Sequence, residues 1–124
     1  MKHLNFVSVP VSDQERAKKF YVDKIGFELQ FEGPHESGAK FIVLGIPGAQ
    51  TSIVLVTWFE TMPAGSLRGL VIETDKINDD LKRLKSNGVN AGEVEDLPWG
   101  SFVEFEDPDG NRLVLREKKN PEFI

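Results

Sequence analysis

Few residues in this chain have the range to do chemistry, and the commonest nucleophiles and metal ligands are missing. The chain contains no cysteine, which removes thiolate nucleophiles, thiolate zinc sites and disulfides together. Its only histidines are His3, beside the N-terminus, and His35, in the segment "GPHESG". A lone loop histidine reads either as a solvent-exposed residue or, with Glu36, as part of a lid bordering a binding site. No Ser-His-Asp arrangement, phosphate loop or dinucleotide fingerprint is visible. "GIPGAQ", Gly45 to Gln50, has two glycines but no helix after it, and reads as a hairpin loop. Carboxylates, guanidinium groups and aromatic rings remain. The first two meet in "FEDPDGNRLVLRE", Phe105 to Glu117, which reads as a strand, a tight turn and a second strand.

That turn has its own mechanism. Asp107 at the first position, Pro108 with its preset φ at the second and Gly110 at the fourth describe a type I turn, so Phe105 to Arg116 is expected as a hairpin. At the other end, Asn5 to Val11 reads as a strand ending at Pro10. A capping box of Ser12 and Glu15 then opens a helix, with Ala17, Phe20, Tyr21 and Ile25 on one apolar stripe and Gly26 as its left-handed stop. Strands are expected at Phe27 to Glu32, Lys40 to Leu44 and Thr51 to Trp58. After the turn-rich "ETMPAGS" the pattern restarts: a strand at Gly69 to Thr74, then a helix opened by Asp75 and stopped by Asn87-Gly88. Ile77, Leu81 and Leu84 share its face, and short strands follow near Val89 to Val94, Ser101 to Glu106 and Arg112 to Arg116. Asp13 and Asp75 stand 62 residues apart, as do Gly26 and Gly88, and 62 is half of the 124-residue chain. An offset of that kind marks a duplicated unit. The expected fold is α+β, two β-α-β-β-β modules in one domain: module one about 1–59, a linker about 60–67, module two about 68–117 and a tail at 118–124.

Composition narrows the setting. A hydrophobic fraction of 40% with 28% charged residues suits a globular domain with a core of its own. The net charge of −5 argues against nucleic acid as a partner, and the one basic cluster, Arg116 to Lys119, is interrupted by Glu117. Asn5, Ser8 and Pro10 interrupt any signal-peptide core, and no stretch reaches membrane-spanning length. The expectation is a soluble cytoplasmic protein with neither membrane nor nucleic acid as partner.

Two stretches, "VSVPVSDQERAKKFYVDKIGFEL" (Val7 to Leu29) and "FVEFEDPDGNRLVL" (Phe102 to Leu115), together with the repeat, carry a resemblance to the vicinal oxygen chelate superfamily. That superfamily includes glyoxalase I, extradiol dioxygenases, fosfomycin-resistance enzymes and bleomycin-resistance proteins. The resemblance implies the glyoxalase/bleomycin resistance/dihydroxybiphenyl dioxygenase fold, a mixed sheet curled into a cup. It also implies a divalent ion held by His, Glu or Gln on the first and last strands of each module. Carried onto this chain, the four ligand positions fall at Phe6, Val54, Gly69 and Val114, none of which binds a metal. A slip of one residue brings in Asn5, Val7, Ile53, Leu55, Arg68, Leu70, Leu113 or Leu115, and none of these is His, Asp, Glu or Gln. No metal and no cofactor are therefore expected.

Strand alternation then fills the cup. With Phe6 come Ser8 and Pro10; with Val54 come Ser52, Val56 and Trp58; with Gly69 come Val71 and Glu73; with Val114 come Arg112 and Arg116. Such a set, apolar and aromatic with a few polar groups, is that of a small-molecule pocket or of a filled core. Glu73 and either Arg112 or Arg116 would pair or hold a polar ligand inside the cup, or else lie in solvent at strand ends. Trp99, in "DLPWGS", would close the pocket edge or pack a loop. Glu73 is the candidate acid-base group if the chain is an enzyme. The leading expectation is a metal-independent protein that binds a small organic molecule, as a homodimer implied by the resemblance. The alternatives are a glyoxalase-like lyase or isomerase using a metal not placed here or acid-base residues, and a dimeric structural module without a ligand.

Overall fold

Hydrophobic alternation and turn chemistry produce eight strands and two helices among residues 1–119, the part of the chain that the computed structural model describes. The expected tail lies outside the described residues beyond Lys119. The first half runs β1 (Phe6–Pro10), α1 (Gln14–Lys19) with a π-helical continuation (Phe20–Ile25), β2 (Glu28–Pro34), β3 (Lys40–Gly45) and β4 (Ser52–Val56). The second runs β5 (Leu70–Glu73), α2 (Ile77–Ser86), β6 (Glu95–Leu97), β7 (Gly100–Glu106) and β8 (Arg112–Lys118). Two four-stranded sheets result, ordered β1-β4-β3-β2 and β5-β8-β7-β6. In each, the first strand pairs in parallel with the last and the remaining pairs are antiparallel. The fold is α+β and duplicated. Pro10 is accommodated because β1 is an edge strand and needs no donor on its free side.

Each sheet turns one face toward a shared core. Val9, Ile42, Leu44, Ile53 and Leu55 of the first sheet and Val103, Phe105, Leu113 and Leu115 of the second join one buried cluster with Ala17, Tyr21, Ile77, Leu81 and Leu84 of the helical segments. Gln14 fastens its helix to the sheet below: its amide Nε2 donates to the carbonyls of Lys40 at 2.6 Å and Leu55 at 2.9 Å, and its Oε1 accepts from Lys40 N at 3.1 Å. Gly26 and Gly88, both with positive φ (95° and 80°), end the two helical segments at equivalent places in the repeat.

The "DPDGN" turn ties the two halves together. Asp107 Oδ1 accepts from the backbone N–H groups of Asp109 and Asn111, each at 2.9 Å, and Oδ2 accepts from Asn111 Nδ2 at 2.7 Å. The buried Tyr21 hydroxyl also donates to Asp107 Oδ2 at 2.8 Å, from 86 residues away. Asn111 Nδ2 reaches the Pro10 carbonyl at 2.7 Å, while its Oδ1 accepts from Leu67 N. Burial, reinforced by the neighbouring Asp107 carboxylate, pushes the Tyr21 phenol well above its ordinary value of 10.0.

Local expectations are corrected at four points. The first helix is capped by Asp13, whose Oδ1 accepts from Arg16 N at 3.0 Å. Ser12 instead donates to Asp109 Oδ1 at 2.5 Å, because the hairpin turn packs against it. The second helix is opened not by Asp75 but from another strand, with Ile77 N donating to Glu117 Oε1 at 2.9 Å. The Val89 to Val94 segment makes only one bridge, Ala91 to Phe105, and the strand forms later at β6. The α-helix gives way to π-helix after Lys19, where Gly26 N bonds back to Tyr21 O at 3.1 Å.

Candidate ligand-binding site

Alternation that sends Val9, Leu44 and Leu55 inward sends the intervening side chains to the opposite face of each sheet, away from the shared core. These outer faces hold most of the residues singled out in the sequence. The two faces differ sharply in chemistry.

The outer face of the first sheet is apolar and aromatic. Val43, Val54 and Val56 form its own buried cluster, with Phe41 and Trp58 packed against them. The rings continue outward. Phe6 meets Phe41 edge-on at 5.8 Å between centroids, Phe31 meets Phe41 at 6.0 Å, and His35 lies flat on Trp58 at 3.7 Å with 12° between planes. His35 is held there by its own tight turn: its backbone N–H donates to Ala39 O at 3.0 Å, and Nδ1 accepts from Ser37 N at 3.1 Å. It is thus neither a free loop residue nor a detached lid. Phe6 and Phe31 remain 45% and 54% exposed, so this aromatic surface opens to solvent. Ser8 is registered against Val54 and Ser52 against Phe6, which puts both on this face.

The second outer face is charged. Glu73 and Arg116 stand opposite each other in the β5–β8 register, and Arg116 Nε lies 3.4 Å from Glu73 Oε1. That distance makes an ion pair but the angles make no hydrogen bond, and the buried Nε–H has no other acceptor among the described residues. Arg112 turns instead to Glu106 at 3.2 Å and Glu104 at 3.6 Å. Val71 and Val114 are register partners on the same face, Gly69 precedes β5 with φ 79°, and Trp99 occupies the turn between β6 and β7. Of the two arginines expected as partners for Glu73, Arg116 pairs with it and Arg112 does not.

Trp99 apart, the ring contacts of the first face and the ion pairs of the second each stay within their own face among the described residues. Ser52, Val71 and Glu73 do meet, along the wall of a groove of about 420 Å³ between the two sheets. Sequence reasoning missed Phe31, Phe41 and Gln30 on the first face. Gln30 is the extra residue of a β-bulge between Leu29 and Phe31, and its Oε1 accepts from Ser52 Oγ at 2.5 Å. A bulge breaks the period-two pattern that sequence alternation relies on.

The divalent ion that the resemblance implies for metal-dependent members does not fit the residues at these positions. Phe6 and Val54 place an aromatic ring and an isopropyl group on the first face, Val114 lies opposite Val71 on the second, and Gly69 has no side chain. Among the described residues no group of three or more His, Asp or Glu comes together to hold an ion. Nor is any helix among them long and apolar enough to cross a membrane.

Comparison with known proteins agrees with this architecture. Residues 3–115 match the sequence profile of the Glyoxalase/Bleomycin resistance protein/Dioxygenase superfamily. The structure is similar to that of TnmS3, an antibiotic binding protein from Streptomyces sp. CB03234, at 45% identity and a TM-score of 0.93, covering 96% of this chain and 98% of that one. A glyoxalase/bleomycin resistance protein from the same strain is 47% identical with a TM-score of 0.84, covering 91% and 98%. The Bacillus subtilis protein YetH is 34% identical over 121 residues, 94% of this chain and 99% of its own. The duplicated sheets, the profile match and these relatives together place the chain in the glyoxalase/bleomycin resistance protein/dioxygenase superfamily.

Proposed function

We propose that this protein binds a small, planar aromatic organic molecule on the outer face of its first sheet, without a metal ion. The observation that carries the reading is the aromatic surface on which exposed Phe6 and Phe31 border the half-buried Phe41 and Trp58, with His35 stacked on Trp58. Flat rings offered to solvent lose water readily to another flat ring, and offset or edge contacts add about 0.5–1.5 kcal/mol per pair beyond the area buried. A structural neighbour that binds an antibiotic supports a small organic ligand rather than a macromolecule.

One face alone would leave half of such a ligand in water. We further propose that two copies of the chain pair so that the charged face of one, with Glu73, Arg112, Arg116 and the rim residue Trp99, closes over the aromatic face of the other. Each dimer then has two equivalent pockets. Apolar rings supply most of the binding, while the ion-paired Arg116 and Glu73 belong to the face that closes over them.

A thermal-shift and titration series with planar aromatic compounds tests this, with the oligomeric state followed by sedimentation. The expected result is a dimer stabilised by such compounds, with affinity about tenfold weaker in Trp58→Ala and a fold that survives the change. Binding that ignores the loss of Trp58, or an absence of any stabilisation across the series, would sink the proposal.

A further inference from the structure

The bulge in β2 does more than interrupt a ladder. Leu29 is registered with Leu44, which faces the core, and Phe31 with Val43, which faces outward. Gln30 between them has no partner on β3. Its side chain crosses the outer face of β3 and reaches Ser52 on β4, where Ser52 Oγ and Gln30 Oε1 lie 2.5 Å apart. It can cross because the residue beneath it is Gly45: a Cβ built there would sit 2.7 Å from Gln30 Nε2 and 3.0 Å from Ser52 Oγ. A bulge, a glycine and a serine on three successive strands thus hold one carboxamide over Gly45 on the outer side of the first sheet. This costs ladder bonding and side-chain freedom on an edge strand.

The carboxamide is only half used. Ser52 engages the Oε1 end, and Gln30 is solvent-exposed, so the Nε2 end is accessible to a ligand. With Ser52 Oγ donating to Oε1, the Nε2 donor is the end left for a carbonyl or hydroxyl oxygen of a ligand.

We infer that Gln30 is a specificity-determining residue of this face, selecting aromatic ligands that carry a carbonyl or hydroxyl oxygen at the ring edge. The inference rests on the aromatic-face reading given above and adds a polar requirement to it. Phe31, next to Gln30 in the strand, and Phe6, registered with Ser52, take the rings, and Gln30, held by Ser52 over Gly45, reads the oxygen.

The test uses the full-length protein and two probes of the same shape, 2-acetylnaphthalene and 2-ethylnaphthalene, which share a planar ring system and differ by one carbonyl oxygen. Affinities are measured by calorimetry for wild type, Gln30→Leu, Gly45→Ala and Trp58→Ala. The wild type should prefer the ketone. That preference should fall about fivefold in Gln30→Leu, with affinity for the hydrocarbon retained. Gly45→Ala should reproduce the loss, because the new methyl group displaces the amide without altering Gln30 itself. Trp58→Ala should weaken both probes alike. A preference unchanged in Gln30→Leu and Gly45→Ala overturns the inference while leaving the aromatic face intact. If neither probe binds the wild type, the aromatic-face reading fails and the role of Gln30 fails with it.

Discussion

The two sheets of this protein have the same strand order and the same inward chemistry, yet their outer faces have diverged. Inside, Val9, Leu44 and Leu55 of one sheet and Val103, Leu113 and Leu115 of the other serve a single core, where a change in volume is felt by both halves. Outside, one sheet presents Phe6, Phe31, Phe41 and Trp58, and the other presents Glu73, Glu104, Arg112 and Arg116. A shared core holds the inner faces to one chemistry. The outer faces answer only to what touches them, so their difference is where specialisation is to be read.

The comparison makes the inner and outer faces unequal under mutation. Leu84→Ala, in the shared core, should cost about 3 kcal/mol in a denaturant titration, whereas Val71→Ala, half exposed on the second outer face, should cost under about 1 kcal/mol. Equal losses would mean that the outer faces carry the fold as well.

Tyr21→Phe probes the join between the halves. It removes one hydrogen bond to the Asp107 carboxylate, which keeps its partners in Asn111 and the turn backbone, and should cost about 2 kcal/mol. The phenol is raised above its ordinary value of 10.0, first by burial and then by Asp107, so its contribution is complete below that pH and is lost as pH rises past it. Tyr21 is the only tyrosine in the chain, and tyrosinate absorbance should therefore appear only together with unfolding. Absorbance rising while the fold persists would contradict the buried join.

Smaller still is the surface cluster beside the first sheet. Hydrogen bonds from Lys40 and then Lys18 hold the Glu15 carboxyl below its ordinary 4.5, and Lys18 and then Lys40 do the same for Glu32. Their stabilisation is present above that pH and fades as pH falls through the lowered folded values. All four side chains are solvated, so Glu15→Gln should shift the acid midpoint slightly at low salt and not at high salt. A large shift that persists in high salt would show the cluster to be structural.

How much of this was legible in the sequence follows from the range of each interaction. The repeat, the helix-ending Gly26 and Gly88 and the hairpin at Asp107 rest on local backbone preference, which a single chain displays. The capping roles of Ser12 and Asp75 were misread because Asp109 and Glu117 come in from distant strands and take over. Alternation put Glu73, Arg112 and Arg116 on one face but left open which arginine meets Glu73, and the β5–β8 register decides for Arg116. Gln30 and Phe31 stayed hidden, since the bulge at Gln30 shifts the register of β2, while Phe41 lies on β3, a strand that carries none of the four ligand positions from which alternation was counted. The placing of the four metal-ligand positions at Phe6, Val54, Gly69 and Val114 came from the resemblance and not from periodicity.

The central claim, an aromatic face of one copy closed by the charged face of another, is tested most directly by mixing two defective variants. Trp58→Ala disables the aromatic face and Arg116→Ala the charged one. Dimers formed from both carry the two lesions in one pocket and leave the other pocket intact. The account predicts that refolding an equimolar mixture restores wild-type affinity for 2-acetylnaphthalene at one of the two sites of each mixed dimer, while neither variant binds with that affinity alone. A mixture that binds no better than the two variants measured separately would contradict it.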